Sequence, residues 1–316
     1  MSKFIAVGNW TTPEASWALQ RKEIIQVPPE RVWRALTEPS ELKQWWCDSA
    51  DVDLRIGGRL AFSGSHVFSR DLVQKTPAET PSACSENFEI LELEPLERIT
   101  FRWCLGAAET HVTFTLENQL EHTHLRVNQT SETRLDWPTD DKSPNWWWVA
   151  LPGLRNFLEN GNPGLRLDYE LVTRDPGVEL EVRLFTFPWV IWQKLCDATE
   201  LKRWWGCEPV VDPKPGGQFS LGVDVGPREI LEIEEGARLV HDWHWDANTV
   251  GRVEWQIEET DTDTRLAVID HGPWSDDSTA GSLSHERVAL HWATTILYLK
   301  QMSERGVTPR EYQGEI

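Results

Sequence analysis

The segment Pro29–Gly58 recurs without a gap as Pro188–Gly217, and this doubling constrains the fold more than any other feature of the chain. Twelve positions are identical: Pro29/Pro188, Trp33/Trp192, Leu36/Leu195, Glu41/Glu200, Leu42/Leu201, Lys43/Lys202, Trp45/Trp204, Trp46/Trp205, Val52/Val211, Asp53/Asp212, Gly57/Gly216 and Gly58/Gly217. Solenoid units recur every ~20–50 residues, so a repeat this widely spaced marks two copies of a whole domain. A chain of 316 residues accommodates both, each with its own core. The composition and spacing predict copy one over 15–160, with an inserted loop at about 64–85, copy two over 165–306, and a tail at 307–316.

Charge excludes several partners. The chain carries 51 acidic against 31 basic side chains, net −20, and such a surface repels phosphate backbones and anionic headgroups. Nucleic acid and membrane surfaces are therefore not expected partners. The five cysteines form no CxxC pair, so neither a disulfide framework nor a zinc knuckle is predicted, and no cofactor or metal is expected. No stretch approaches 18 consecutive apolar residues, and the N-terminus lacks a basic run ahead of an apolar one. These features predict a cytoplasmic protein.

Each copy reads as the same series of elements. Glu23–Val27 has strand character, and Pro28-Pro29 stops it and opens a helix, since proline at the first helical position forfeits no hydrogen bond. Thr37-Glu38-Pro39-Ser40 breaks that helix and restarts it, with Leu42, Trp45 and Trp46 on one face of the second. Asp197-Ala198-Thr199 supplies the matching break in copy two. The Gly-Gly pairs mark a turn, followed by strands at Arg59–Ser63 and Gln218–Leu221.

Alternation then becomes clear. Ile99, Phe101, Trp103 and Leu105 share one face, as do Leu239, His241, Trp243 and Trp245; Val112, Phe114 and Leu116 match Val253, Trp255 and Ile257; and Leu125 and Val127 match Leu266 and Val268. Period two with a polar second face means an antiparallel sheet covered on one side. A long helix closes each copy, through Trp147, Trp148, Leu151, Leu154 and Leu158 in the first and Val288, Trp292, Ile296 and Leu299 in the second. Asn160–Gly164 reads as the linker, and Leu165–Val172 with Glu179–Thr186 as a hairpin leading into copy two.

Leu36-Thr37-Glu38-Pro39, Glu41-Leu42, Trp45-Trp46, Asp53–Arg59 and Glu89-Ile90-Leu91-Glu92 resemble the START-like (SRPBCC) superfamily, in the branch of the C-terminal domain of the heat-shock-protein-90 ATPase activator. Leu201, Trp204-Trp205-Gly206, Pro215–Phe219 and Arg238-Leu239-Val240 repeat the pattern, and the resemblance spans nearly all of both copies. It implies an α+β class and two tandem helix-grip domains, each a curved antiparallel sheet wrapped around a long C-terminal helix with a cavity between them. Members of the superfamily bind apolar small molecules, act as cyclases or hydrolase-like enzymes, or serve as co-chaperones. Many carry a His-Ser/Thr-Gly-aromatic run before the last helix. Asp270-His271-Gly272-Pro273-Trp274 nearly matches it, and Asn128-Gln129-Thr130-Ser131 does not. Pro152, inside the first long helix, predicts a kink or a shortening there and a degenerate cavity in copy one.

The candidate ligand-binding residues follow from the inward faces. Trp103, Phe114, Trp147 and Trp148 stand for copy one and Trp243, Trp255 and Trp292 for copy two, with His241 and His291 as polar anchors. The Trp45-Trp46 and Trp204-Trp205 pairs read as packing under the short helices. His122 and His124 share a strand face at a polar turn and read as solvated side chains rather than metal ligands. Cys47 and Cys207 have no positioned base and read as inert thiols, while Asp53/Asp212 and Glu41/Glu200 read as turn and cap groups. No catalytic residue is assigned. The favoured reading is non-enzymatic binding of an apolar or aromatic small molecule, best in copy two; a co-chaperone contacting heat-shock protein 90 and a cyclase- or hydrolase-type enzyme are the alternatives.

Overall fold

The computed structural model describes residues 17–67, 88–105, 108–119, 122–132, 146–168, 177–205, 208–222, 227–244, 250–272 and 285–305. Most of the expected insertion, Trp245, Pro273-Trp274, Cys207 and the tail lie outside these residues. The chain divides into two compact units, with the main break between Arg166 and Leu167. No helix among the described residues is long and apolar enough to cross a membrane.

The first unit opens with β1 (Trp17–Ile25), α1 (Pro29–Thr37) and α2 (Pro39–Trp45). It continues through β2 (Ser49–Asp53), β3 (Arg59–Ser63), β4 (Ile90–Glu94), β5 (Arg98–Leu105), β6 (Ala108–Gln119) and β7 (His122–Ser131) to α3 (Trp146–Asn160). Five strands form an antiparallel sheet in the order β1-β7-β6-β5-β4, and β2 pairs with β3 beside it. The first strand starts earlier than the alternation suggested, at Trp17 rather than Glu23, because its pairing with β7 runs unbroken from Trp17↔Ser131 to Ile25↔Thr123. The helix breaks fall where the prolines place them, with Pro29 and Pro39 in the first turns of α1 and α2. α3 continues on both sides of Pro152 and ends at Gly161, whose φ of 76° and N–H to the Phe157 carbonyl (2.8 Å) are a glycine helix stop.

The second unit repeats this plan with β8 (Val178–Leu184), α4 (Pro188–Cys196), α5 (Ala198–Trp205), β9 (Val210–Val211) and β10 (Gln218–Ser220). β11 (Arg228–Glu234), β12 (Arg238–His244), β13 (Val250–Glu259), β14 (Thr264–Asp270) and α6 (His285–Arg305) complete it. Its strands form one sheet in the order β8-β14-β13-β12-β11-β10-β9, and α6 packs on β8 and β14. The hairpin expected from Leu165–Val172 is not formed by its described part: residues 163–168 carry no strand, and β8 takes β14 as its partner instead. Both copies carry the same irregularity in register, between Ile90 and Glu92 and between Ile230 and Glu232. Such a bulge bends the strand and increases its twist, so both sheets are bent at the same place.

The Gly-Gly turns have two separate causes. Gly57 and Gly216 take φ of 72° and 76°, which glycine adopts without steric cost. Gly58 and Gly217 instead lack room: a β-carbon there would lie 2.1 Å from the Asp53 carbonyl oxygen and 2.0 Å from that of Asp212. Their own carbonyls accept the N–H groups of Ile90 (2.9 Å) and Ile230 (2.8 Å), which locks the turn to the next strand. Asp53 and Asp212 form exposed turn ion pairs with Arg55 (2.9 Å) and Lys214 (2.8 Å). Glu41 meets Arg31 at 2.7 Å and Glu200 meets Lys194 at 3.3 Å, tying the short helices together. These recurring carboxylates are scaffold.

Candidate functional site

Among the described side chains, the alternating residues of β5, β6, β12 and β13 point inward, as their period requires. Ile99, Phe101, Trp103, Val112 and Phe114 are fully buried, as are Leu239, His241, Val253 and Trp255, and Trp243 is nearly so. In the first unit Trp103 meets Phe62 edge-on at 5.3 Å and Trp46 at 6.0 Å, while Phe101 lies 5.5 Å from Phe114. Trp147 is fully buried and Trp148 half-buried on the first turn of α3, residues that group with the second unit.

The tryptophan doublets divide their work, which sequence reasoning missed. The first member of each is a fastener: the indole N–H of Trp45 donates to the Ala35 carbonyl (2.9 Å), and that of Trp204 to the Lys194 carbonyl (2.8 Å). The second member faces the aromatic interior instead. Trp46 stands 4.1 Å from Phe62, and Trp205 stands 6.0 Å from His291 and 6.1 Å from Tyr298. Adjacent residues near a helix end point in different directions, so the doublet serves two surfaces.

The predicted residues of copy two come together in one cluster. Trp243 lies 5.0 Å from Trp292, 5.9 Å from His291 and 6.0 Å from His241; Trp255 meets Trp292 edge-on at 5.6 Å. Phe219 covers His241 at 4.4 Å. Two hydrogen-bonded units are set within these rings. The Trp255 indole N–H donates to Nε2 of His241 (3.1 Å), which makes that nitrogen an acceptor and puts the ring proton on Nδ1. Nδ1 in turn donates to the Asp242 carbonyl (2.9 Å). With both nitrogens committed, His241 has no lone pair left for proton transfer. The second unit is Asp270, fully buried, whose Oδ2 accepts the Trp292 indole N–H (2.8 Å) and whose Oδ1 accepts the Gly272 backbone N–H (3.1 Å).

Burial pushes both histidines of the cluster down to about 4, so each is neutral at pH 7. Burial also pushes the Cys47 thiol up to about 11, which leaves it protonated and inert. The indole N–H of Trp205 is buried and has no hydrogen-bond partner among the described residues. Buried donors of this kind are uncommon in native folds and call for an explanation.

Among the described residues, copy one does not repeat these polar groups. Register equates His241 with Phe101, since Ile230 and Ile90 pair with them, and Asp270 with Gln129, opposite Val253 and Val112. The long helices align through Glu159, which accepts the Gln26 N–H (2.7 Å), and Glu304, which accepts the Phe185 N–H (2.9 Å); the same count back from each equates His291 with Trp146. Gln129 belongs to a different arrangement, donating to Thr110 Oγ1 (2.8 Å), which donates to the Trp103 carbonyl (2.5 Å).

Among solved structures, the chain resembles DynU16, a protein of the dynemicin biosynthetic locus, at 20% identity and a TM-score of 0.36, over 92% of this chain and 98% of that one. CalU16 from Micromonospora echinospora matches at 21% identity and a TM-score of 0.35, over 42% of this chain and 78% of that one. PFC0360w, an HSP90 activator from Plasmodium falciparum, matches at 22% and 0.35, over 40% of this chain and 94% of that one. No curated protein matches the chain. The family model described as activator of Hsp90 ATPase homolog 1-like protein matches twice, at residues 26–146 and 187–304. Those two matches fall on the two helix-grip copies and together take in more than half of the sequence, so the chain belongs to the family of activator of Hsp90 ATPase homolog 1-like proteins.

Proposed function

We propose that copy two binds an aromatic or apolar small molecule between its sheet and α6. The observation that carries this is the buried indole N–H of Trp205, without a partner among the described residues, beside His291 in an interior lined with neutral imidazoles and indoles. Ligand sites of this class are mostly apolar with a few placed polar groups. An acceptor on the ligand would satisfy the Trp205 donor, and the aromatic walls would stack on its rings. Titration of the protein with flavonoid-like and fatty ligands, followed by tryptophan fluorescence, should give a saturable change. Trp205→Phe keeps an aromatic ring, though a smaller one, removes the donor, and should weaken binding at least about tenfold, the worth of one buried hydrogen bond. A panel with no saturable ligand overturns the reading.

A second reading rests on the surface of the same copy. Phe185, Phe187 and Trp189 are 70%, 64% and 59% exposed, where copy one places the exposed Gln26, Pro28 and Glu30. Exposed aromatic clusters mark protein contacts, and tryptophan is enriched among contact residues that dominate affinity. Together with the family, this favours a chaperone partner of the heat-shock-protein-90 class. Pull-down and stimulation of that chaperone's ATPase should both fail for Trp189→Glu, which restores the copy-one residue. Equal behaviour of the variant and the parent chain removes the patch from the argument.

A further inference from the structure

The β6–β7 hairpin of copy one carries a pair of histidines that the sequence pattern assigned to solvent. His122 and His124 project from the same face of β7, as residues two apart on a strand must, and their Nε2 atoms lie 3.2 Å apart. The ring centroids are 5.1 Å apart at 41°, and both side chains are half-buried. Two imidazole nitrogens on a tetrahedral zinc, each at about 2.0–2.1 Å, are separated by about 3.3–3.4 Å, close to the spacing found here. Imidazole nitrogens suit borderline divalent ions such as zinc.

We propose that His122 and His124 form a two-histidine chelate for a borderline divalent cation, zinc in the first place. In the metal-free pair one ring donates Nε2–H to the other; on binding, that proton moves to Nδ1 of the same ring, and both Nε2 lone pairs face the ion. Water fills the remaining positions. Burial, followed by Lys22 of β1 and by His122, holds His124 below the usual imidazole range. The nearby charges are Lys22, Arg126 of β7 and Glu117 of β6, and Glu117 is directly opposite His124 and bridged to Arg126 at 3.0 Å. The net charge of −20 raises the local concentration of cations. Copy two does not repeat the pair: the equivalent residues are Asp263 and Arg265, held by Arg183 (3.1 Å) and Glu181 (2.7 Å).

Calorimetric titration of the full chain with zinc chloride tests the proposal. The parent protein should show a saturable component that disappears in His122→Ala and equally in His124→Ala, with thermal unfolding confirming that both variants fold. His124→Gln, which keeps a polar side chain on the strand, should lose the same component. Absence of saturable binding in the parent overturns the chelate, as does a component that survives in both alanine variants. Loss in only one of them also rejects it, since two-point ligation requires both rings.

Discussion

Acidifying the protein from pH 7 to pH 4 is expected to destabilise the second copy by about 6 kcal/mol through two buried histidines. His241 and His291 have folded-state values of about 4, both lowered first by burial, against an ordinary value of 6.5. The unfolded chain therefore takes up two protons below about 6.5 that the folded chain refuses until about 4. The stability they contribute is complete above 6.5 and drains away as the pH falls toward 4, at about 3 kcal/mol for each ring. Below that the folded state binds the protons too and these groups add no further slope. Glu254, held by Arg238 down to about 2 from an ordinary 4.5, loses its own contribution as the pH falls through that interval; it overlaps the acid end of the range and cancels in the comparison below. Relief of the self-repulsion of a net charge of −20 works in the opposite direction. The measurement is accordingly differential: denaturant unfolding at pH 7, 5.5 and 4 for the parent and for His241→Phe, which installs the copy-one residue. The variant should lose about half of the pH dependence. Identical slopes for the two proteins would show that His241 is not buried as a neutral ring.

Arg155→Ala should cost about 3–5 kcal/mol in the first copy, the penalty for stranding one member of a buried ion pair. Arg155 of α3 and Glu23 of β1 meet with side chains only 2% and 9% exposed, and the contact clamps the long helix to the first strand. Copy two replaces the pair with a different solution: Lys300 donates to the Arg183 carbonyl (2.6 Å) and pairs with Glu304 (2.5 Å). The desolvation cost of the Arg155–Glu23 pair is large, so the double replacement Glu23→Leu with Arg155→Met should restore most of what the single variant loses. Urea unfolding of the three proteins separates these outcomes. A loss below about 1 kcal/mol for Arg155→Ala would place the pair among surface bridges of little consequence.

The legible part of this fold is the part governed by local rules. Alternation located the inward faces of β5, β6, β12 and β13, helical spacing located α2 and α5, and the prolines located the breaks, because each depends on neighbours a few residues away. The family resemblance then supplied the way these elements assemble. Local rules failed where two adjacent residues do unlike things. Trp45 and Trp46 have the same side chain and consecutive positions, yet one fastens α2 to α1 and the other joins the aromatic interior. The Gly-Gly turn failed in the same way, since Gly57 is there for its backbone angle and Gly58 for want of space.

The sequence by itself determined that the chain is a duplicated α+β domain, which residues face inward, and that the two interiors differ. Only the tertiary structure decided what the differing residues do. His241 meets Trp255 across neighbouring strands, Asp270 of β14 meets Trp292 of α6, and His122 stands within hydrogen-bonding distance of His124. Those partners are far apart along the chain or set by side-chain rotation, and no periodicity carries that information. Hydrophobic pattern dictates a face; hydrogen-bond partners are chosen when the faces close on one another, because a buried polar group must then find what water no longer offers.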